Sequence, residues 1–263
     1  MKRKLYMIAV ILLVATSLEA QERENNIITD RPDVAESSVV VGKNRFQWET
    51  GFQWNSDKVG TTTTRNYNFP TLFRYGVIDW LEARVEGNMI QFQTQTGAST
   101  QTGFTDLAFA VKGHLWDNDK WIPSFGLLLS ALTPTGKNSF STNVVEPALK
   151  LLADWELPAD FAFSANIGFD VPARNGAREK FARLLHATSL VKILPVRQKK
   201  FAVFAEMQGV MPVQSSSPNI HTFDTGLTFL LNKDMQLDLS SQIALGNAAA
   251  DLAMGVGFSW RVL

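Results

Sequence analysis

From Phe46 to the C-terminus the chain repeats one pattern roughly a dozen times: an apolar residue at every second position, polar or small residues between, and polar breaks separating the runs. A period of two is the mark of a β-strand with one face in an apolar medium. In the first run Phe46, Trp48, Thr50, Phe52 and Trp54 alternate with Gln47, Glu49, Gly51 and Gln53. The last sets Leu252, Met254, Val256, Phe258, Trp260 and Val262 against Ala253, Gly255, Gly257, Ser259 and Arg261. A protein core and a lipid bilayer both produce this alternation, so the question is which of the two the apolar faces meet.

The first twenty of the 263 residues read as a secretory signal: Lys2, Arg3 and Lys4, an apolar run from Leu5 to Val14, and a cleavage candidate after Ala20. The run is too short to cross a bilayer as a helix, and it is set aside from the fold. Its removal takes out Lys2, Arg3, Lys4 and Glu19, turning 25 basic and 25 acidic residues into 22 and 24. A mature charge near −2 leaves no basic footprint for nucleic acid. The chain has no cysteine, which excludes disulfides, thiolate metal sites and a lipidated cysteine after the signal.

Strands are expected near 45–54, 65–76, 79–92, 104–116, 121–134, 143–156, 159–171, 181–194, 199–211, 221–231, 234–245 and 251–263. An even count returns the chain to the side where it entered, as bacterial outer-membrane barrels require. The breaks alternate in size. Val77-Ile78, Asp117 to Lys120, Leu157-Pro158, Val196 to Gln198 and Asn232-Lys233 are tight, whereas 55–64, 93–103, 135–142, 172–180 and 213–219 are longer and polar. Residues 174–194 fit a helical face about as well as a strand, and closure of the barrel favours the strand. Three features favour the bilayer over a secreted soluble β-sheet binding protein. Trp54, Trp80, Trp116, Trp121, Trp155 and Trp260 gather near strand ends, the runs are long for a globular sheet, and the opposite faces are rich in Gly, Ser, Ala, Asn and Gln. The expected fold is therefore all-β: a transmembrane antiparallel up-and-down β-barrel of about 12 strands over 45–263, preceded by a 21–44 segment that is either periplasmic or lumen-plugging.

Ile28-Thr29-Asp30-Arg31-Pro32-Asp33, followed by Glu36-Ser37 and the strand opener Arg45-Phe46-Gln47-Trp48-Glu49, resembles the start of the outer-membrane transporters associated with the meta-pathway of phenol degradation. The resemblance implies a barrel that passes small, including hydrophobic or aromatic, molecules across the outer membrane. It brings with it three partners: outer-membrane lipid, small-molecule solutes and the outer-membrane insertion machinery. The chain departs from common barrels in ending at Leu263 instead of an aromatic residue.

Pro32 lacks an amide donor and restrains Arg31 to extended geometry, so Asp30-Arg31-Pro32-Asp33 cannot be a strand centre. The segment either enters the lumen, with Arg31 pairing a wall carboxylate such as Glu49 or Glu82, or is a solvated lead-in. By alternation the lumen receives Glu49, Arg74, Glu82, Arg84, Glu86, Asp106, Lys112, His114, Glu146, Lys150, Asp154, His186, Lys192, Glu206, Asp224, Asp238 and Arg261. Glu82, Arg84 and Glu86 recur at about 7 Å along one strand, and a ladder that neutralises Arg84 locally is expected there. The candidates for lumen and plug are thus Asp30, Arg31, Asp33, Glu49, Arg74, Glu82, Arg84, Glu86, Lys112 and Glu206.

Catalytic chemistry has little support. No Gly-x-Ser-x-Gly elbow is present, and a membrane-embedded barrel esterase or lipase would rest on His221 and the Ser215-Ser216-Ser217 loop alone. Thr133-Pro134-Thr135-Gly136-Lys137-Asn138 lacks the first Gly and final Ser/Thr of a phosphate loop, and Asp117-Asn118-Asp119 is turn composition. No catalytic residue, cofactor or metal site is expected.

Overall fold

The computed structural model describes residues 26–32, 34–173, 181–213 and 217–262. Thirteen strands follow one another: β1 (Phe46–Val59), β2 (Thr62–Ile78), β3 (Leu81–Gln95), β4 (Gln101–Gly103), β5 (Leu107–Trp116), β6 (Ser124–Thr133), β7 (Glu146–Leu157), β8 (Phe161–Asp170), β9 (Arg183–Leu194), β10 (Phe201–Pro212), β11 (Ile220–Asn232), β12 (Met235–Ala244) and β13 (Leu252–Val262). Each pairs antiparallel with its neighbours, and β1 pairs with β13 from Phe46↔Val262 to Ser56↔Leu252. That last pairing closes the sheet and removes its edges. The three-residue β4 and β5 both lie against β3, at 91–93 and 81–86 respectively, separated by an irregular stretch at 104–106. Together they occupy one position in the wall, so the barrel has twelve staves. The ambiguous 181–194 region supplies strand β9, while the adjoining 174–180 lies outside the described residues, as do the signal segment 1–20 and Asp33.

Among the described residues the buried side chains are mostly polar: 22 polar or charged against 11 apolar. Phe109, Leu151, Ile167, Leu239 and Val256 stand exposed at mid-strand on the outer face. A soluble sandwich needs the reverse, because its apolar faces must cover one another. An inside-out ring of strands is instead what a bilayer stabilises. At the rim that carries both ends of the barrel, aromatic rings meet across strands. Ring centroids lie 4.7 Å apart for Trp116 and Phe125, 5.6 Å for Trp155 and Phe163, and 4.5 Å for Phe201 and Phe229. Such a girdle marks a membrane–water interface.

One expected loop is absent. Residues 55–64 continue β1 and β2 as a hairpin that turns at Gly60 and Thr61, with Gly60 at φ 61°. The β-branched run Thr61 to Thr64 suits strand geometry, and the glycine supplies the left-handed turn residue, so polarity alone misread this stretch. Alternation also misplaced two residues of β9. The buried face there is Ala187 and Ser189, which turns His186 and Lys192 outward. Lys192 lies with its ammonium 4.5 Å from the Phe161 ring at the near rim.

Candidate functional site

The described residues of 26–44 form no strand, yet they are held inside the barrel. Entry is set at Gly76, whose N–H donates to Arg45 O at 2.9 Å and whose carbonyl accepts from Asn44 N at 2.7 Å. A Cβ on Gly76 would collide with the Gly42 carbonyl, so the absent side chain lets the chain fold back into the lumen.

A chain without strand partners must satisfy its backbone donors otherwise, and here wall side chains do it. The amides of Asp30 and Arg31 each donate to Glu49 Oε2 at 3.0 Å. Val34 and Ala35 donate to the two oxygens of Glu206 at 2.8 and 2.7 Å. Ser38 donates to Asp154 at 2.6 Å, Val41 to Glu82 at 2.8 Å, and Glu36 to Asn166 Oδ1 at 2.7 Å. The segment is thereby tied to staves all around the ring.

Its carboxylates meet the wall's bases. Asp30 Oδ2 lies 2.8 Å from Lys112 Nζ, 3.1 Å from Arg84 Nη1 and 3.3 Å from Arg74 Nη1. Glu36 lies 2.6 Å from both Arg84 Nη1 and Lys150 Nζ. Arg74 in turn holds Glu82 at 2.9 Å and Glu49 at 3.0 Å. Nine of the ten sequence candidates fall at or beside this network; Asp33 lies outside the described residues.

One expected pairing differs in the structure, and another is only part of what forms. Arg31 does not pair its guanidinium with Glu49 or Glu82; it reaches Asp238 at 3.3 Å. Glu49 already accepts from Arg74 and from two backbone amides, and Glu82 from Arg74. The Arg31 guanidinium instead rests over Gly51 and Gly257, which face each other across β1 and β13. A Cβ at Gly51 would stand 2.7 Å from its Nη2 and one at Gly257 2.6 Å from its Nε. Arg84 does meet both carboxylates of its own strand, but its closer partners come from the segment. Glu82 and Glu86 stand 4.0 and 3.8 Å away, whereas the segment's Glu36 and Asp30 stand at 2.6 and 3.1 Å. The ladder on β3 is completed by the segment crossing it. Asp154, Asn166 and Ser124, which bind Glu36 to Ser38, were not among the candidates. Nothing in a strand's alternation distinguishes a polar wall residue with a partner from one without.

Burial alone would raise the Asp30 carboxyl, but the Arg74, Lys112 and Arg84 charges outweigh it and hold the group well below the usual carboxylate range. For Glu36 the same contest, with burial opposed chiefly by Lys150 and Arg84, ends at about 2, against an ordinary 4.5. A depressed carboxyl contributes stability that is fully present above its ordinary value and is lost as pH falls towards the depressed one. The segment should therefore stay seated from pH 7 to 4.5 and loosen between 4.5 and about 2. The chain has no native cysteine, so a nitroxide at Val34→Cys can report this: its spectrum should stay restricted down to pH 4.5 and gain mobility below. Mobilisation already at pH 6 would contradict the charge pairing.

Towards the far rim the lumen changes character. Gln93 Nε2 donates to Asn66 Oδ1 at 3.0 Å and Asn66 Nδ2 to Asn55 Oδ1 at 2.8 Å, an amide patch on β1 to β3, while Asp170 and Arg183 pair across β8 and β9. Beside Val34 a cavity of about 110 Å3 is lined by Lys150, Asn166, Leu185, Gln208 and Val210. Among the described residues no group of three or more His, Cys, Asp or Glu could hold a metal ion. His221 meets the His186 ring; Ser215 and Ser216 of the esterase reading lie outside the described residues.

A family model described as "Putative MetA-pathway of phenol degradation" matches residues 29–262, which includes the crossing segment from Thr29 onward. The chain belongs to this family. No curated protein matches it. Among solved structures, an outer membrane channel from Pseudomonas putida F1 superposes with a TM-score of 0.64 at 11% identity, covering 86% of this chain and 98% of that one. The NanC porin gives 0.55 at 10% identity, over 82% of this chain and 100% of that one. The translocator domain of the autotransporter NalP from Neisseria meningitidis gives 0.52 at 12%, over 83% and 88%. At these identities the likeness is one of fold: this member of the phenol-degradation family is an outer-membrane-type β-barrel.

Proposed function

We propose that the protein is a passive outer-membrane channel for small molecules, including hydrophobic or aromatic ones, and that residues 26–44 close it at rest. The observation that carries this reading is the lumen itself. It is a polar-lined passage, and its near half is filled by a segment that holds on chiefly through side-chain contacts, with backbone bonds only at its two ends, from Ile27 to Lys233 and from Asn44 to Gly76. Contacts of that kind can be broken without disturbing the strand ladders. The family's link to phenol degradation and the Pseudomonas protein's description as a channel support a transport role.

On this reading residues 1–20 direct export and are removed, and the short turns at 79–80, 158–160 and 233–234 face the periplasm, the usual side for short barrel turns. The segment then enters from the periplasmic mouth. Passage makes and breaks no covalent bond; the wall needs only to solvate the solute. Membrane fractionation and reconstitution test this. The folded chain should partition with the outer membrane and shift on a gel between unheated and boiled samples, and a folded variant lacking residues 27–36 should admit small neutral aromatics into liposomes faster than sugars of larger size. Recovery as a detergent-free soluble monomer, or liposomes carrying the shortened variant no more permeable than empty ones, would overturn it.

A further inference from the structure

Three neighbouring strands place His186 of β9, Gly209 of β10 and His221 of β11 in one row, since Gly209 pairs with His186 on one side and His221 on the other. Ala187, Ser189, Glu206 and Asp224 are buried on the lumen side of these strands, so the row faces outward. The two rings lean over the bare glycine and approach to 5.6 Å between centroids, with planes inclined at 40°. A Cβ added to Gly209 would run into both Nε2 of His186 and Nδ1 of His221, and would stand 2.9 Å from His186 Cε1. Two imidazole nitrogens from different strands thus close on one point. Neither ring has another polar partner among the described residues.

On β10 the next residues of the same face are Met207 and Met211, one on each side of Gly209. Met207 is paired with Thr188 and Phe223, and Met211 with Leu184, so the outward positions bordering the row carry no carboxylate. A set of imidazoles and thioethers without carboxylates does not suit calcium or magnesium, which take oxygen ligands. It suits soft and borderline transition metals, copper foremost. The row lies three residues from Pro212, the far end of β10, within reach of the aqueous phase beyond the far rim.

We propose that His186 and His221, assisted by Met207 or Met211, form a copper-class metal site on the outward face of the barrel. Gly209 is its floor: only a residue without a side chain lets the two rings converge there. The site is separate from the lumen, so it stands whether or not the channel reading does.

The test uses the full mature chain in detergent, titrated with Cu2+ and, as a redox-inert stand-in for Cu+, with Ag+. The wild type should bind one Cu2+ whose electron paramagnetic resonance spectrum carries hyperfine lines from two imidazole nitrogens. His186→Gln or His221→Gln should each weaken Cu2+ binding by at least about tenfold, the scale on which even supporting contacts to a metal act. The pair should abolish the nitrogen lines, with the heat shift of the folded barrel unchanged. Met207→Leu with Met211→Leu should keep those lines and weaken Ag+ by about tenfold. Nitrogen lines absent from the wild type, or Cu2+ binding unaltered in the double histidine variant, would leave the rings as a tilted aromatic pair and overturn the site. Unchanged Ag+ affinity in the methionine variant would overturn the thioether contribution.

Discussion

Arg74→Met should destabilise the folded barrel by about 3–5 kcal/mol, the usual cost of leaving buried charges without their partner. Arg74 is 1% exposed, and its guanidinium lies among three carboxylates, those of Asp30, Glu49 and Glu82. It also donates to the backbone oxygens of Ile28 at 3.2 Å and Val39 at 3.0 Å, joining both limbs of the crossing segment to β2. Lys112 and Arg84 remain near Asp30 and Glu82 in the variant, but the ion pair between Arg74 and Glu49 has no such substitute. Arg74→Lys should recover only part of the loss, because one ammonium cannot reproduce donation from Nε and both Nη atoms. The double change Arg74→Met with Glu49→Gln should be less harmful than the sum of its parts, since it removes the stranded charge along with its partner. Reversible urea unfolding in lipid measures all three. A loss below 1 kcal/mol for Arg74→Met would show that water in the lumen, and not the arginine, solvates these carboxylates.

Phe109→Arg should cost about 2–4 kcal/mol, the penalty for a base near the middle of a barrel's lipid face. Phe109 is 48% exposed in the middle of the stave that β4 and β5 form together, between Val85 of β3 and Ala131 of β6. Its neighbour Ala108 is buried on the lumen side, and Ala108→Ser should be nearly neutral because the lumen is already polar there. The contrast between adjacent residues is the useful quantity. Equal tolerance of both in the same unfolding assay would mean that the outer face of β5 does not meet hydrocarbon.

The alternation from Phe46 onward made the strands legible, because a bilayer imposes one rule on every lipid-facing position and the chain must obey it twelve times. Where both faces of a strand carry mixed residues, the rule weakens. In β9, Leu185, Ala187 and Ser189 oppose His186, Thr188 and Leu190, and only pairing with Asn166 and Glu206 in the neighbouring strands decides which face is inner. The 55–64 hairpin was hidden for another reason: threonine-rich polar sequence serves a loop and an exposed strand equally well. For the lumen, the charged residues could be named in advance, but their partners could not. Arg31 and Asp238 stand 207 positions apart, and their meeting depends on the path of the segment across the barrel and on two glycines that clear room for the guanidinium. The clasping of backbone amides by Glu49, Glu206 and Asp154 left no trace in the sequence, since any carboxylate on the wall could have done it. The same holds for His186 and His221, brought together by strand register alone.

Closure of the channel by its own N-terminal segment is tested most directly by single-channel recording in planar bilayers. The comparison is between the full mature chain and a variant lacking residues 27–36, both first shown to be folded by the heat shift. The full chain should pass little current at neutral pH, with brief openings at most. The variant should hold a steady, larger conductance, because Asp30, Arg31 and Glu36 no longer bridge Lys112, Asp238 and Lys150 across the near half of the lumen. Identical currents from the two folded proteins would contradict closure by the segment and leave residues 26–44 as a structural lining of the barrel.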